Sequence, residues 1–355
     1  MKECYLVRVK IIYTMSGRGL HRDAELLAYV FKSLGHEVSS QSVQPASQRA
    51  LWLERKWYRA VERMLPPALR DSTLTLQRQL RLLINGRSPF DLIIHLQSIQ
   101  HRHLHKNCAQ WLVPNQEWFS HSQLHYLKVF DAVVCKTREA LHLFSRYHTN
   151  VQYTGFSSPL ISHPPPVPEK NFQKALHVAG NSGFKGTAAL VRVWRKHPEW
   201  PQLTLVCNQL PAHDELPNNI EVLSNISDDN LADLWATAGI AILPSEVEGF
   251  GQILVEAQAY GCVVVTTDAP PMNEVVDPSF GILVPYHSTG AFRMGVRYFV
   301  DPDGLEHAIQ ELWRHKDADL HRMSFDAAQN ATENDKAFRR RIKYLISGLE
   351  RSTSI

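Results

Sequence analysis

Cysteine is sparse and poorly arranged for cross-linking: Cys4, Cys108, Cys135, Cys207 and Cys262 are odd in number, and no two form a C-x-x-C pair. This argues against a disulfide framework and for a reduced, intracellular compartment. Three of the five sit in apolar runs (AVVCK, LTLVC, GCVVV), where a free cysteine packs as a small hydrophobe. Also missing is any run of about 18 apolar residues, so no transmembrane helix is expected. The opening MKECYLVRVKIIYT interrupts its apolar residues with charges and lacks the long apolar centre of a signal peptide. Net charge is only +3, which carries no global bias toward nucleic acid or membrane. The expectation is a cytoplasmic protein whose membrane contact, if it has any, is peripheral.

What is present is a regular alternation of short apolar runs with segments of helical period, the pattern of βα units and parallel sheets. At 355 residues, with 44% hydrophobic and 21% charged residues, the chain has material for two cores rather than one. Tyr5 to Tyr13 reads as a strand, Ser16-Gly17-Arg18-Gly19 as a turn and Asp23 to Leu34 as a helix. Further strands fall at 36–39, 91–95, 110–113 and 132–135. The pattern stops at SSPLISHPPPVPEK, residues 157–170, a proline-rich stretch read as an inter-domain linker. It resumes with strands at 175–178, 203–206, 220–223, 240–243 and 263–266 and with helices at 228–236 and 252–260. Residues 336–349 form a basic amphipathic helix. The fold class is α/β, with one Rossmann-like domain over 1–160, a second over 170–330 and a closing segment, 331–355.

The most informative stretch is LPSEVEGFGQILVEAQAYGCVVVTTD, residues 243–268. A buried strand ends in a loop with two glycines, and a helix starts straight after it. Glycines let backbone N–H groups approach a ligand closely, and a helix N-terminus favours phosphate. Glu248 stands in the loop and Glu256 lies eight residues on, about two helical turns away, so both carboxylates can serve the carboxyl end of one parallel sheet. Carboxylates accept strong hydrogen bonds from sugar hydroxyls. This stretch resembles the E-x7-E signature of retaining GT-B glycosyltransferases, in particular family GT4, with EGFG, then EA, then a glycine before a VV strand.

The resemblance implies two Rossmann-like domains facing across a cleft, with the C-terminal helix crossing back to the first. It implies a hexosyl transfer with retention from a nucleoside-diphosphate sugar, a UDP-sugar being favoured, to an acceptor hydroxyl, with no metal and no other cofactor. Glu248 would contact the donor sugar, Gly249, Phe250 and Gly251 the sugar and phosphates, and Glu256 the ribose. A second matching segment is Gly180-Asn181-Ser182-Gly183-Phe184-Lys185-Gly186-Thr187. The family has an arginine and a lysine here that neutralise the diphosphate. Lys185 fits the lysine, Asn181 stands near the place of the arginine, and Ser182, Thr187 and backbone N–H groups are the available substitutes. The segment lacks the GK[ST] of a P-loop.

In the first half, Gly17 and Gly19 form a strand-to-helix turn suited to approach the donor. His95, ending the strand FDLIIHLQS, resembles the strand-end histidine that these enzymes hold near the reacting carbon. His101, His103 and His105 alternate beside Arg102 and Lys106, which suits a solvated loop better than zinc. Asp301-Pro-Asp303 and Asp317-Ala-Asp319 match a metal-binding D-x-D only as text, since both sit at helix starts or charged surface. Between Arg49 and Arg87 nine basic residues face three acidic ones, with Trp52, Trp57 and Tyr58 interleaved. That segment is a solvated basic helix face, or it meets a lipid-linked acceptor at a membrane surface or a polyanion such as DNA. Two other readings remain: a GT-B-fold epimerase or phosphorylase, and a non-catalytic carbohydrate- or nucleic-acid-binding relative.

Overall fold

The computed structural model describes residues 6–15, 18–162, 169–209 and 216–353. They divide into two compact units, Met1–Gly155 with Phe338–Ile355, and Phe156–Ala337.

The first unit runs β1 (Arg8–Thr14), α1 (Arg18–Ser33), β2 (Glu37–Val43), α2 (Gln48–Met64), α3 (Pro67–Ile84), β3 (Leu92–Gln97), β4 (Ala109–Pro114), β5 (Ala132–Cys135), α4 (Arg138–Phe144) and β6 (Val151–Tyr153). Its sheet has the order β2-β1-β3-β4-β5-β6, every neighbouring pair parallel. Strands covered on both faces read as unbroken apolar runs, as in β3, where five of six residues are buried. Helix α1 buries Leu20, Ala24, Leu27 and Phe31 at helical spacing. The segment read as one basic helix is two. Ser47 caps α2 by accepting from the Ala50 N–H at 3.2 Å, and Pro66-Pro67 ends it and starts α3. Few side chains anchor this pair: of α2 only Val61 is buried, and of α3 only Leu74 and Arg78.

The second unit contains β7 (Asn171–Gly180), α5 (Thr187–Arg195), β8 (Leu203–Cys207), β9 (Ile220–Leu223), α6 (Asp228–Thr237), β10 (Ala238–Leu243), α7 (Gln252–Ala259), β11 (Val263–Thr267), α8 (Met272–Val275), β12 (Gly281–Val284), β13 (Tyr286–Phe292), β14 (Gly295–Val300) and α9 (Pro302–Leu312). Its parallel sheet has the order β12-β11-β10-β7-β8-β9. The chain therefore lays strands outward from β7 in one direction, then returns to lay β10 to β12 on its other side, the doubly wound Rossmann pattern. One face of the sheet packs on Trp194, Leu190 and Leu305, the other on Trp235, Leu254 and Met272. Trp194, Trp200 and Trp313 meet edge to face with ring centroids 5.0 to 5.5 Å apart.

Three features depart from the sequence reading. The closing helix α10 covers Asp317–Thr353, far longer than 336–349. Buried Leu320, Met323, Ala327, Ala331, Phe338, Ile342 and Ile346 form one continuous stripe along it, with no breaker between. Next, β13 and β14 form an antiparallel hairpin for which no strand was expected. Finally, the stretch read as linker begins inside the second unit. Ser157 and Ser158 are fully buried, Ser157 Oγ donating to Asp335 Oδ1 at 2.7 Å. Of the proline run, residues 163–168 lie outside the described residues.

Beyond it, the ammonium of buried Lys170 donates to the carbonyls of Trp235 (2.6 Å), Ala236 (3.2 Å) and Ala238 (3.0 Å). A cation thus caps the C-terminus of α6, where the helix dipole favours it. Lys170→Met removes these charge-assisted bonds, and we expect it to lower the unfolding free energy of the second unit by about 2 kcal/mol, measured by denaturant unfolding.

Candidate functional site

The order of the second sheet reverses between β7 and β10, and doubly wound sheets bind ligands outside the carboxyl ends of such strands. Two loops leave that point. The first, residues 181–186, runs from β7 into α5; the second, 244–251, runs from β10 into α7. Gly186 and Gly251 are the N-cap residues of the two helices, at φ +70° and +91°, conformations that favour glycine. At Gly186 the constraint is also steric, because a Cβ would stand 2.2 Å from the Pro244 carbonyl oxygen.

The loops are joined by more than contact. The Glu246 N–H donates to the Phe184 carbonyl at 2.9 Å. The Lys185 ammonium donates to Glu248 Oε1, which also accepts from Ser245 Oγ at 2.7 Å. The Lys185 and Glu248 side chains are 18% and 11% exposed, so the charged pair is reachable from solvent while held by buried neighbours. Ser245 is itself fixed, its carbonyl accepting from Thr267 Oγ1 at 2.7 Å.

Two further groups support the loops, and neither was singled out in the sequence. His177, on β7, is fully buried. Its Nδ1–H donates to the Ile242 carbonyl at 2.6 Å, which leaves Nε2 to accept from Thr187 Oγ1 at 2.8 Å. It ties β7, β10 and the first turn of α5 together, and burial pushes its pKa down to about 4. The hairpin supplies the other support. Arg297 of β14 donates to Glu246 Oε2 at 2.6 Å and stacks on the rings of Phe184 (5.0 Å) and Phe299 (4.6 Å), and the Tyr298 N–H donates to the Glu246 carbonyl at 2.7 Å. The signals were a histidine inside an apolar strand, ALHVA, and the aromatics Phe292, Tyr298 and Phe299 around Gly295.

The remaining expected residues fall as follows. Asn181 is exposed, with Oδ1 accepting from Asn208 Nδ2 at 2.9 Å, and Ser182 Oγ accepts from the Phe184 N–H at 3.3 Å. Gly249 is buried, and Phe250 packs edge to face on Phe156 at 5.7 Å. Glu256 lies on α7 at 1% exposure, Oε1 accepting from Ser158 Oγ at 2.7 Å. Whereas Glu248 is open to solvent, Glu256 is not.

In the first unit, Gly17 lies outside the described residues, and Gly19 is exposed in the first turn of α1 with open space where a Cβ would stand. His95 is fully buried with both ring nitrogens engaged: Nδ1 accepts from the Gln100 N–H at 3.1 Å, and Nε2–H donates to Gln110 Oε1 at 3.0 Å. Burial pushes its pKa down to about 3. His101 packs on Tyr126 and lies 3.6 Å from Glu54, while His105 Nδ1 donates to the Gly86 carbonyl at 3.1 Å. Both D-x-D runs are helix starts: Asp301 caps α9, and Asp317 and Asp319 open α10.

The fold is that of the GT-B glycosyltransferases: sucrose-phosphate synthase from Thermosynechococcus elongatus superposes with a TM-score of 0.66 over 98% of this chain and 100% of its own, at 14% identity. Anabaena Alr3699/HepE, solved with UDP and glucose, superposes with a TM-score of 0.58 over 98% and 100% of the two chains, at 16% identity. Within that fold, residues 207–314 match the family model for Glycosyl transferases group 1. A segment of 112 residues is 32% identical to an MMP alpha-(1->4)-mannosyltransferase of Mycolicibacterium hassiacum, covering 32% of this chain and 26% of that one. Another, of 106 residues, is 32% identical to a D-inositol 3-phosphate glycosyltransferase of Streptomyces bingchenggensis, covering 29% and 22%. The chain thus spans about a quarter of the length of the curated relatives it matches.

Two outcomes follow from the site's construction. Gly186→Ala is expected to displace Pro244 and lower the unfolding free energy by about 3 kcal/mol. Gly183→Ala in the same loop, where a Cβ meets no atom within 4 Å, leaves it unchanged. The second concerns acid. His95 and His177 are neutral in the fold and protonate on unfolding below about pH 6.5. Their contribution is complete above that pH and is lost as pH falls toward 4, by about 1.4 kcal/mol per unit for each. Denaturant unfolding at pH 7, 5.5 and 4.5 measures this slope, and a flat profile would mean that the imidazoles are charged in the fold.

Proposed function

We propose that the chain is a retaining glycosyltransferase that moves a sugar from a nucleoside-diphosphate sugar, by preference a UDP-sugar, to an acceptor hydroxyl without a metal ion. The observation that carries this reading is the Lys185–Glu248 pair on two interlocked loops at the switch point of a doubly wound sheet. A cation and a carboxylate side by side suit a diphosphate and a sugar that arrive joined together. An entering diphosphate competes with Glu248 for the Lys185 ammonium, freeing the carboxylate to accept from sugar hydroxyls. The similarity of residues 207–314 to group 1 glycosyltransferases supports the same assignment.

In this reaction the anomeric C–O bond breaks and its electron pair leaves with the nucleoside diphosphate, stabilised by Lys185 and by the backbone N–H groups of loops 181–186 and 249–251. The acceptor oxygen bonds to the same face of the anomeric carbon, and its proton passes to the departing phosphate oxygen. Glu248 orients the sugar and forms no covalent bond to it. Glu256, held by Ser158, meets the ribose once that hydroxyl is exchanged for one of the nucleotide's. The D-x-D aspartates serve as helix caps and first-turn acids, which supports diphosphate neutralisation by Lys185 rather than by a carboxylate-held cation.

A thermal-shift panel of UDP-, GDP-, ADP- and dTDP-sugars, with EDTA and with Mg²⁺, tests the donor. One nucleotide at a hundred times its Kd stabilises by about 2.7 kcal/mol, and it does so equally with EDTA. Lys185→Ala lowers transfer on the order of a hundredfold or more, and Glu248→Gln abolishes product while the chain still folds. A donor shift that survives both substitutions would remove this pair from the site. Release of free sugar with no acceptor requirement would favour an epimerase or phosphorylase.

A further inference from the structure

Helices α2 and α3 of the first unit each carry two apolar stripes, and only one of each pair is used internally. On α2, Leu51, Tyr58, Val61 and Leu65 turn toward the body of the unit, Tyr58 stacking on His125. On the opposite side Trp52, Leu53, Trp57 and Met64 are 37 to 79% exposed. Arg49, Lys56 and Arg63 share that outer side at the same helical spacing, with the Lys56 ammonium 4.8 Å above the Trp52 ring. On α3, Leu69, Leu76, Leu80, Leu83 and Ile84 form a second exposed stripe, 48 to 81% open. More than half of the large apolar side chains exposed among the described residues lie on these two helices. A patch this concentrated marks a surface that is covered in use.

Its chemistry selects the cover. We propose that the outer face of α2 and α3 docks the chain on an anionic lipid bilayer. Of the nine basic residues between Arg49 and Arg87, Arg70, Arg78 and Arg81 bond within the unit, and the six that remain, against three acids in the same stretch, call for an anionic partner. One of the three acids, Glu54, is turned inward, accepting from Ser122 Oγ at 3.4 Å and facing His101. A second copy of the chain would bring the same positive charge to the contact and be repelled. A nucleic acid would meet the arginines but offers no apolar medium for Trp52, Trp57 and the leucine stripe. A bilayer interface meets both needs, with headgroup phosphates for the cations and the acyl boundary for the apolar side chains. No helix among the described residues is long and apolar enough to cross a membrane, so the mode is docking in the interfacial plane.

The test is flotation of the whole chain with vesicles of phosphatidylcholine alone and with about 30 mol% phosphatidylglycerol. The protein floats with the anionic vesicles and not with the neutral ones, and raised salt weakens the binding. Arg49→Gln/Lys56→Gln/Arg63→Gln lowers the apparent affinity on the order of a hundredfold, and Trp52→Ser/Trp57→Ser on the order of tenfold. All five positions are exposed, so an unchanged Tm verifies that both variants are folded. No flotation with either vesicle, equal flotation of the variants, or salt-sensitive binding to duplex DNA without flotation would each overturn the proposal. So would a dimer that the tryptophan variant abolishes in a chain that does not float. The inference is independent of glycosyl transfer: a chain that floats yet binds no sugar nucleotide would sink the reading of the second unit and leave this one standing.

Discussion

The Cα of Gly186 faces the Pro244 carbonyl so closely that any side chain there would overlap it. Much of the second unit follows from that approach. It brings the end of the loop after β7 against the start of the loop after β10, so that the Glu246 N–H reaches the Phe184 carbonyl and Lys185 reaches Glu248. It also sets Thr187 at the start of α5, where its hydroxyl meets His177. An ion pair between residues 63 apart in sequence would contribute little on a mobile surface. Here the backbone of both loops is also held by contacts other than the ion pair, so the pair itself carries less of the ordering entropy.

How much of this could be read in advance depended on the range of the interaction. β5 and β9 were placed at their observed bounds because an apolar run closed by turn residues is a local signal. The loop–helix unit around Gly249 to Glu256 was legible for the same reason: strand, glycines and helix are contiguous. The pairing of Lys185 with Glu248 was not legible, since nothing local says that two loops share a switch point until the strand order is known. The hairpin β13–β14 was passed over because β13 is mostly exposed and offers no apolar run. The surroundings of His95 were not legible either: it lies inside β3 rather than at its end, and its bonds to Gln100 and Gln110 are tertiary.

The two units put charge to different uses. In the second, charged side chains converge on loops: Arg297 is shared among Glu246 and two rings, and Lys170 among three carbonyls. In the first, the conspicuous charges lie on the outside of two helices that contribute only three buried side chains to their own unit. Helices with so few anchors are held mainly by specific polar contacts. Arg78 donates to the His125 carbonyl at 3.1 Å and Arg81 to the Tyr126 hydroxyl at 2.7 Å. The basic excess of the segment thus does two jobs, with Arg70, Arg78 and Arg81 bonded within the unit and Arg49, Lys56 and Arg63 facing outward.

The mutual packing of Trp194, Trp200 and Trp313 has a spectroscopic consequence. Three indoles with centroids within 5.5 Å couple their electronic transitions, and a rigid arrangement of them is chiral. His197 stacks on Trp200 at 4.1 Å and is held by Glu306, which fixes the geometry further. The second unit therefore carries an intense near-ultraviolet dichroic signature of its own, arising from a single core cluster. Its disappearance on heating would report the melting of that core separately from the rest of the chain.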